Sequence, residues 1–443
     1  MTSPSGWCLT FSRDNQSDES IYARNSAIPG DCKENKCEWV TSPNNNTFYS
    51  CCCNTDLCNG STNRQIKLIV IIYLLNLIIG VQYYLWSERS FENEYRLKMT
   101  HIDIRNIDEE NPEKILGIST NIIAHEFIIK NEYLCHDGNQ TTTNQPHLLI
   151  LVKSAIENSK ARQAIRMTWA KKDFLQTNSI KVAFVVGISK SEKDSPNTNK
   201  KTLHVEKESQ QYGDIIQIDK LDFYYHNSYK MVMMLRWISE YCSSKSSEYS
   251  YNDLRKYVLF IDDDYYLDLN SLLTYINKVD QDSHMTVYER RTFLTGYLYN
   301  SSRPRRFLND RWYISIDDYP YDRYPPYVTA GCFLMTRSNA RLFYLASKYI
   351  HLFRFDDIYM GLLAYSMSIK LISNNELFSS YGSSIILPDN QPEIFSRLKT
   401  FFYNIINSKS AVKPVCIHGY RGEELIDIWN RIHHSNLTLP LLN

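Results

Sequence analysis

The chain has 443 residues, more than one ordinary hydrophobic core organises, so several folded segments are expected. Lysine plus arginine and aspartate plus glutamate both number 49, which gives a formal net charge of zero. A chain without net charge has no global electrostatic attraction to polyanions, and this argues against nucleic acid as a partner.

Cysteine is concentrated in residues 1–60. Seven of the 11 cysteines fall there, namely Cys8, Cys32, Cys37, Cys51, Cys52, Cys53 and Cys58. This density predicts a disulfide framework. A zinc site is the alternative, although the segment has no histidine and no regular Cys-x-x-Cys pairs. Residues 49–59, YSCCCNTDLCN, resemble the carboxyl half of the three-finger ectodomain of type II receptors of the bone morphogenetic protein class.

Residues 66–86, IKLIVIIYLLNLIIGVQYYLW, form the longest apolar run of the chain. A helix of about 20 residues matches the hydrocarbon thickness of a bilayer, which predicts a transmembrane segment, with a buried core helix as the alternative. Arg64 and Lys67 lie at its amino side and favour a cytosolic amino terminus. No apolar core of a cleavable signal peptide is found in residues 1–20, so we expect a type II signal anchor.

These two predictions conflict with each other. Disulfides need an oxidising compartment, whereas a type II anchor leaves residues 1–60 in the reducing cytosol. An odd number of cysteines also suits a module that has lost partners. We therefore interpret residues 1–60 as a truncated or fused three-finger-like fragment and not as a working ligand-binding domain.

Residues 87–146 lack sustained periodicity, which predicts a polar stem. Order begins at residue 147, where apolar runs and helical patterns alternate. Strands are expected at 147–155, 181–188 and 214–219, and a helix at 161–170. This alternation predicts a parallel α/β sheet in residues 147–443. Glycosylation sequons at Asn139, Asn300 and Asn436 suit a lumenal location for this part of the chain.

An apolar strand at 257–261 ends abruptly in Asp262, Asp263 and Asp264. Ligands of open α/β sheets bind outside the carboxyl ends of strands, so this is a position where chemistry is expected. Three adjacent carboxylates repel one another unless a cation compensates, and hard oxygen ligands favour Mg²⁺ or Mn²⁺. Asp262 and Asp264 are therefore predicted to hold a metal that contacts the diphosphate of a nucleotide-sugar. An acidic surface turn is the alternative.

Residues from about 147 to 432 resemble the inverting β1,3-galactosyl/N-acetylglucosaminyltransferase family, and within it the brainiac-like members. The resemblance rests on six motifs in order: ARQAIRMTW (161–169), YGDIIQID (212–219), YVLFIDDD (257–264), RWYISIDDYP (311–320), YPPYVTAGCFLMT (324–336) and FRFDDIYMG (353–361). The last two motifs carry the similarity to brainiac-like members.

The resemblance implies a GT-A fold, in which a nucleotide-binding α/β half joins an acceptor-binding half. It implies Mn²⁺ or Mg²⁺ on Asp262 and Asp264, and Asp357 as the catalytic base. It also implies a Golgi membrane enzyme with a UDP-sugar donor, UDP-GlcNAc first and UDP-Gal next, and a glycan acceptor on glycolipid or glycoprotein. Asp356 stands where many family members have glutamate.

Two further groups of residues are predicted to line the site. The resemblance places a helix beside the nucleotide, so Arg162, Arg166, Trp169 and Asp263 are expected at the donor. A structural ion pair is the alternative for the arginines. The expected pocket residues are Trp312, Pro326, Tyr327, Gly331 and Asp356, and a plain structural loop is the alternative there.

Two other functions compete with the transferase. One is a receptor-like binding protein that uses the amino-terminal cysteine module, with an inactive transferase domain. The other is a lectin that binds without turnover. The receptor is disfavoured because the amino-terminal module lacks half of its cysteine framework and has no kinase domain behind it. The lectin is disfavoured because Asp262, Asp264 and Asp357 are all present.

Overall fold

The computed structural model describes residues 8–12, 21–24, 36–41, 47–52, 70–78, 88–95, 125–135, 145–189, 200–242, 253–379 and 414–434. The chain divides into two compact units, Met1–Glu88 and Arg89–Asn443. Each unit is described by itself.

The first unit contains a four-stranded antiparallel sheet. Its strands are β1 (Cys8–Ser12), β2 (Ile21–Arg24), β3 (Lys36–Thr41) and β4 (Thr47–Cys52), in the order β2-β1-β4-β3. The side chains of this sheet lie outside the described part of the structure. The disulfide framework, the alternative zinc site and the three-finger resemblance therefore stay predictions.

The predicted membrane segment is described only in part. Residues 70–78 are helical, and residues 66–69 and 79–86 lie outside the described residues. Within the described ranges, no helix is both long and apolar enough to cross a bilayer. The transmembrane anchor therefore stays a prediction.

The second unit is built on an eight-stranded sheet with the order β13-β11-β12-β9-β6-β7-β8-β5. The strands of this unit are β5 (Phe127–Ile129), β6 (Leu148–Lys153), β7 (Ile180–Ile188), β8 (Ile215–Leu221), β9 (Tyr257–Asp262), β10 (Tyr265–Leu267), β11 (Leu294–Tyr299), β12 (Tyr327–Thr336), β13 (Ile372–Ser373), β14 (Phe378–Ser379) and β15 (Cys416–His418). The four central strands, β9, β6, β7 and β8, are parallel. Strands β12 and β5 add antiparallel edges to this core. The prediction of a parallel α/β sheet is confirmed for the centre, and the whole sheet is mixed.

Helices cover both faces of the sheet. They are α1 (Ser159–Met167), α2 (Lys172–Thr177), α3 (Lys200–Tyr212), α4 (Asn227–Trp237), α5 (Leu269–Gln281), α6 (Val287–Arg291), α7 (Arg337–Ser347), α8 (Asp356–Ser366) and α9 (Glu423–His434). Single turns of π-helix lie at Phe91–Tyr95 and Ile238–Cys242, and 3₁₀ turns at Glu132–Leu134, Tyr224–His226 and Asp253–Arg255.

Strand β6 shows why this arrangement is stable. Leu149 and Leu151 pack into one hydrophobic core with α4, α7 and α8, whereas Leu148 and Ile150 pack into a second core with α1, α5 and α9. A strand buried on both faces needs an uninterrupted apolar run, and this is the pattern at 148–152.

A smaller sheet, ordered β10-β15-β14, lies beside the carboxyl end of β9. Strand β10 follows the acidic turn, and Tyr265 pairs with His418 of β15. A disulfide between Cys332 of β12 and Cys416 of β15 fastens this sheet to the larger one. Residues from the carboxyl end of the chain are thereby held next to Asp264.

The folded unit begins earlier than residue 147, the predicted start of the α/β domain. Strand β5 pairs with β8, and a disulfide joins Cys135 to Cys242. Residues 89–95 also pack within the second unit, at Tyr321. Sequence periodicity missed these segments because each is too short to show a repeat. Of the predicted glycosylation sites, Asn300 is exposed, while Asn139 and Asn436 lie outside the described residues.

We predict that deletion of residues 1–65 leaves the second unit folded and active, because every strand of the large sheet lies at or after residue 127. Protein yield and sugar transfer from microsomes that express the truncated chain should match those of the full chain. Loss of folded protein in the truncation would show instead that the cysteine-rich unit is needed for folding.

Candidate active site

A buried lysine joins two acidic elements at the carboxyl edge of the sheet. Lys153 ends β6 and is 7 % exposed. Its Nζ lies 3.0 Å from Asp262 Oδ1 at the end of β9 and 2.6 Å from Asp356 Oδ2 at the start of α8. Sequence analysis missed Lys153, although a lysine that directly follows five buried apolar residues of a strand is an informative signal.

The charged groups around Lys153 shift one another's pKa values. Burial by itself would lower the pKa of Lys153, but Asp262 and Asp356 raise it above its usual range, so the lysine stays protonated. Burial raises the pKa of Asp262 to about 7, and Asp264 and Asp356 add to the rise while Lys153 opposes it. The site thus holds more negative charge than a single lysine compensates.

Asp264 is bordered by the segment that follows β15. Its Oδ2 lies 3.4 Å from His418 Nε2 and 3.3 Å from Arg421 Nη2, while its backbone oxygen accepts hydrogen bonds from Gly419 N and Tyr420 N. Burial would raise the pKa of Asp264, but its hydrogen bond and charge interaction with His418 lower it. Sequence analysis missed both His418 and Arg421, which are more than 150 residues away along the chain.

Asp263 points into the protein and not toward the other two acids. Its Oδ2 accepts hydrogen bonds from Ser154 Oγ at 2.7 Å and Asn158 Nδ2 at 2.8 Å, and Oδ1 lies 3.0 Å from Arg421. The side chain is 3 % exposed. Asp263 was predicted at the donor, but here it anchors the turn after β6.

The residue types fit a hard divalent cation. Asp262, Asp264 and His418 offer carboxylate and imidazole ligands. Asp264 Oδ1 is buried without a hydrogen-bond partner among the described residues, as expected of an oxygen reserved for a cation. Within the described ranges, however, no cluster of three or more His, Cys, Asp or Glu is placed to hold a metal. Metal binding therefore stays a prediction.

Asp357 and Asp356 occupy the first turn of α8, where the helix dipole favours negative charge. Asp356 is bound by Lys153, whereas Asp357 Oδ1 accepts a hydrogen bond from Ile358 N at 2.8 Å. Burial, and then the charge of Asp356, raise the pKa of Asp357 to about 7, against the opposing effect of Lys153. A carboxyl group that titrates near neutral pH is suited to general base chemistry.

The predicted donor residues of α1 have other partners in this structure. Arg162 is 0 % exposed, and its five N–H groups all have acceptors, on Glu208, Ser154, Ala155 and Ile156. Arg166 pairs with Glu208 and Asp214, and Trp169 Nε1 donates to Tyr265 O. The alternative interpretation of the arginines, a structural ion pair, is what the geometry provides. An arginine with every donor engaged cannot bind a diphosphate without losing a buried bond.

Of the predicted pocket residues, Pro326, Tyr327 and Gly331 lie in tightly packed positions on or next to β12, whereas Trp312 lies on an exposed loop. Gly331 allows close packing, since a Cβ there would lie 2.1 Å from the Tyr265 hydroxyl. Pro326 and Tyr327 contact Gly361 of α8, where a Cβ would lie 2.6 Å from Tyr327 Cβ. These glycines bring β12 against the acidic turn and against the base-bearing helix. Trp312 is 51 % exposed on a loop, and the ring faces Arg311.

Comparison with known proteins gives consistent matches for the second unit. The family model described as Galactosyltransferase matches residues 160–375. β1,3-Galactosyltransferase brn of Drosophila melanogaster is 33 % identical over 234 residues, which are 52 % of this chain and 64 % of the relative. Human β1,3-galactosyltransferase 1 is 30 % identical over 254 residues, 57 % of this chain and 69 % of the relative. Human β1,3-galactosyltransferase 5 is 27 % identical over 290 residues, 66 % and 79 % of the two chains. The chain thus spans just under two thirds of the fly relative's length.

We predict that alanine substitutions of Asp263 and Asp264 have different effects on stability. Asp263→Ala removes buried acceptors from Ser154 and Asn158 and should lower the free energy of unfolding by about 2 kcal/mol. Asp264→Ala removes one oxygen without a partner in the described structure and one that contacts only the half-exposed His418 and Arg421, so it should cost less stability than Asp263→Ala. Thermal unfolding of the two variants measures this difference. Equal loss of stability in both would contradict the structural role of Asp263.

Proposed function

The chain belongs to the galactosyltransferase family, and from this premise we propose that it is an inverting β1,3-glycosyltransferase that moves a hexose from a UDP-sugar to a glycan hydroxyl. One observation carries the proposal. Two carboxylate sites, Asp262 with Asp264 and the pair at the start of α8, are joined by buried Lys153. Inversion needs a base on one side of the sugar and charge neutralisation on the other, and two separate sites supply this.

On the donor side, Asp262, Asp264 and His418 would hold Mn²⁺ or Mg²⁺, which when bound neutralises the diphosphate of the leaving UDP. Arg421 lies next to this position and is half exposed, so its guanidinium can contact a phosphate oxygen as well as Asp263 and Asp264. We propose Arg421 as a donor residue in place of Arg162 and Arg166. Arg162 and Arg166 instead stabilise the elements around the site, through the backbone after β6 and through Asp214 before β8.

On the acceptor side, Asp357 would take the proton from the attacking 3-hydroxyl. The hydroxyl oxygen then bonds to the anomeric carbon as the bond to UDP breaks on the opposite face, which gives a β linkage from an α-linked donor. Lys153 fixes Asp356, the neighbour of the base, at 2.6 Å. The pKa of Asp357 near 7 supports this role.

The sugar of the donor has two candidates. The brainiac-like motifs favour UDP-GlcNAc, whereas the relatives are named as galactosyltransferases. Discrimination between such similar sugars rests on a few pocket contacts. The acceptor proposed is a glycan on glycolipid or glycoprotein.

The proposed location is the lumen of the Golgi, behind a type II anchor at residues 66–86. Disulfides at Cys135–Cys242 and Cys332–Cys416 support an oxidising compartment for the second unit. The exposed sequon at Asn300 is compatible with the same location.

A donor panel tests the proposed function. The full chain is incubated with UDP-Gal, UDP-GlcNAc and UDP-GalNAc and with β-linked disaccharide acceptors, in Mn²⁺ or in excess chelator. We expect transfer from one UDP-sugar, lost in chelator and in Asp264→Ala. Full turnover in chelator would overturn the metal assignment, and no transfer from any UDP-sugar with any acceptor would count against the proposed activity.

We predict that Asp357→Asn lowers kcat by about 10² to 10⁴-fold while the donor KM changes little, because the amide is nearly isosteric but cannot accept the proton. Asp356→Asn should be the milder variant. Steady-state kinetics with both substrates varied measure the two effects. If Asp357→Asn is near wild type and Asp356→Asn is inactive, the base is Asp356.

The assignment of Asp357 as the base also predicts how activity depends on pH. A base whose pKa is raised to about 7 is protonated below that pH, so acceptor kcat/KM of the wild type should fall as pH falls below about 7. The residual activity of Asp357→Asn should lose this inflection at saturating divalent cation, because a bound cation keeps Asp262, whose pKa is also raised to about 7, ionised.

A further inference from the structure

The segment at residues 89–95, here called the strap, is the first described part of the second unit and is bound to one of its loops. Arg89 N donates to Pro320 O at 2.7 Å, and Asp322 N donates to Arg89 O at 2.9 Å. Phe91 N donates to the Asp322 carboxylate at 2.8 Å. Three hydrogen bonds within a few residues are a specific attachment and not the loose start of a stem.

Aromatic rings extend this attachment to a second element. Phe91 is 4 % exposed and stacks on Tyr95 with ring centres 4.9 Å apart. Tyr95 meets Tyr321 edge-on at 4.8 Å. Both strap rings also contact Tyr365 of α8, at 5.4 Å and 5.9 Å. The strap therefore joins the loop at 319–322 to the helix whose first turn carries Asp356 and Asp357.

Both joined elements lead to the proposed base. In the loop, Tyr319 packs against Tyr324 with ring centres 4.8 Å apart, and both lie in the same buried cluster as Ile358, the residue after Asp357. In the helix, Tyr365 is two turns beyond Asp357. Leu362 and Ile358, on the intervening turns, lie in the same buried cluster as Tyr319 and Tyr324.

We propose that the strap is a positioning element of the acceptor side of the site, which holds the 319–324 loop in place against the base-bearing helix. This inference rests on the proposed function. The donor side is held by other elements, since Asp262 ends β9, Asp264 lies in the turn after it, and His418 is fixed by β15 and the Cys332–Cys416 disulfide. Loosening the strap should therefore affect the acceptor and leave the donor unchanged.

The test uses Tyr95→Ala in the full chain. We expect the acceptor KM to rise about tenfold, because small displacements of positioning groups are costly, with the donor KM unchanged. Tyr95→Phe keeps the ring and should restore the wild-type acceptor KM. Tyr241→Ala is the matched control, since Tyr241 packs on Phe127 and Trp237 at a different attachment of the predicted stem. This control should not change the acceptor KM.

A second measurement does not depend on turnover. Hydrogen exchange of the full chain should become faster at residues 319–324 and 356–359 in Tyr95→Ala, but not at 262–264. Wild-type acceptor KM and wild-type exchange in Tyr95→Ala would overturn the proposal, as would an equal rise in donor KM. If the wild type transfers no sugar at all, the proposed function fails, while the exchange pattern still decides whether the strap holds the loop.

Discussion

The arrangement of the site depends on one buried cation between two acids. Lys153 lies at the end of the central strand β6 and contacts both Asp262 on β9 and Asp356 on α8. Removing one member of a buried ion pair typically costs about 3 to 5 kcal/mol, because the remaining charge is left without compensation. The lysine therefore fixes the distance between the proposed metal-binding acids and the start of the base-bearing helix.

A polar network behind this lysine keeps the edge of the sheet in place. Arg162 binds Glu208 and the backbone after β6, and Ser154 Oγ in turn donates to Asp263. Lys230 of α4 donates to Ser154 O at 2.9 Å and pairs with Asp222, which accepts hydrogen bonds from two backbone N–H groups. Every charge in this network has an opposite partner, so buried polar groups stabilise the turn without opening it to water.

The carboxyl-terminal segment completes the donor side. Strand β15 pairs with β10 directly after the acidic turn, and the Cys332–Cys416 disulfide holds it to β12. This places His418 and Arg421 beside Asp264. The family match covers strands β7, β8 and β9 and the acids, whereas these two residues lie after residue 375, where the match ends.

The sequence by itself determined the central parallel strands, the acidic turn and the acids of FRFDDIY. Each of these features consists of contiguous residues, so local hydrophobic and charge patterns are enough to predict it. The donor role expected for Arg162 and Arg166 shows the limit of such patterns, since their acceptors Glu208 and Asp214 are more than 40 residues away. Only the tertiary structure decided that Lys153 meets Asp356, 203 residues further along the chain, and that residues 89–95 reach Tyr321. Contacts between such distant residues leave no periodic signal, because they are made by the packing of whole elements and not by any local preference of the chain.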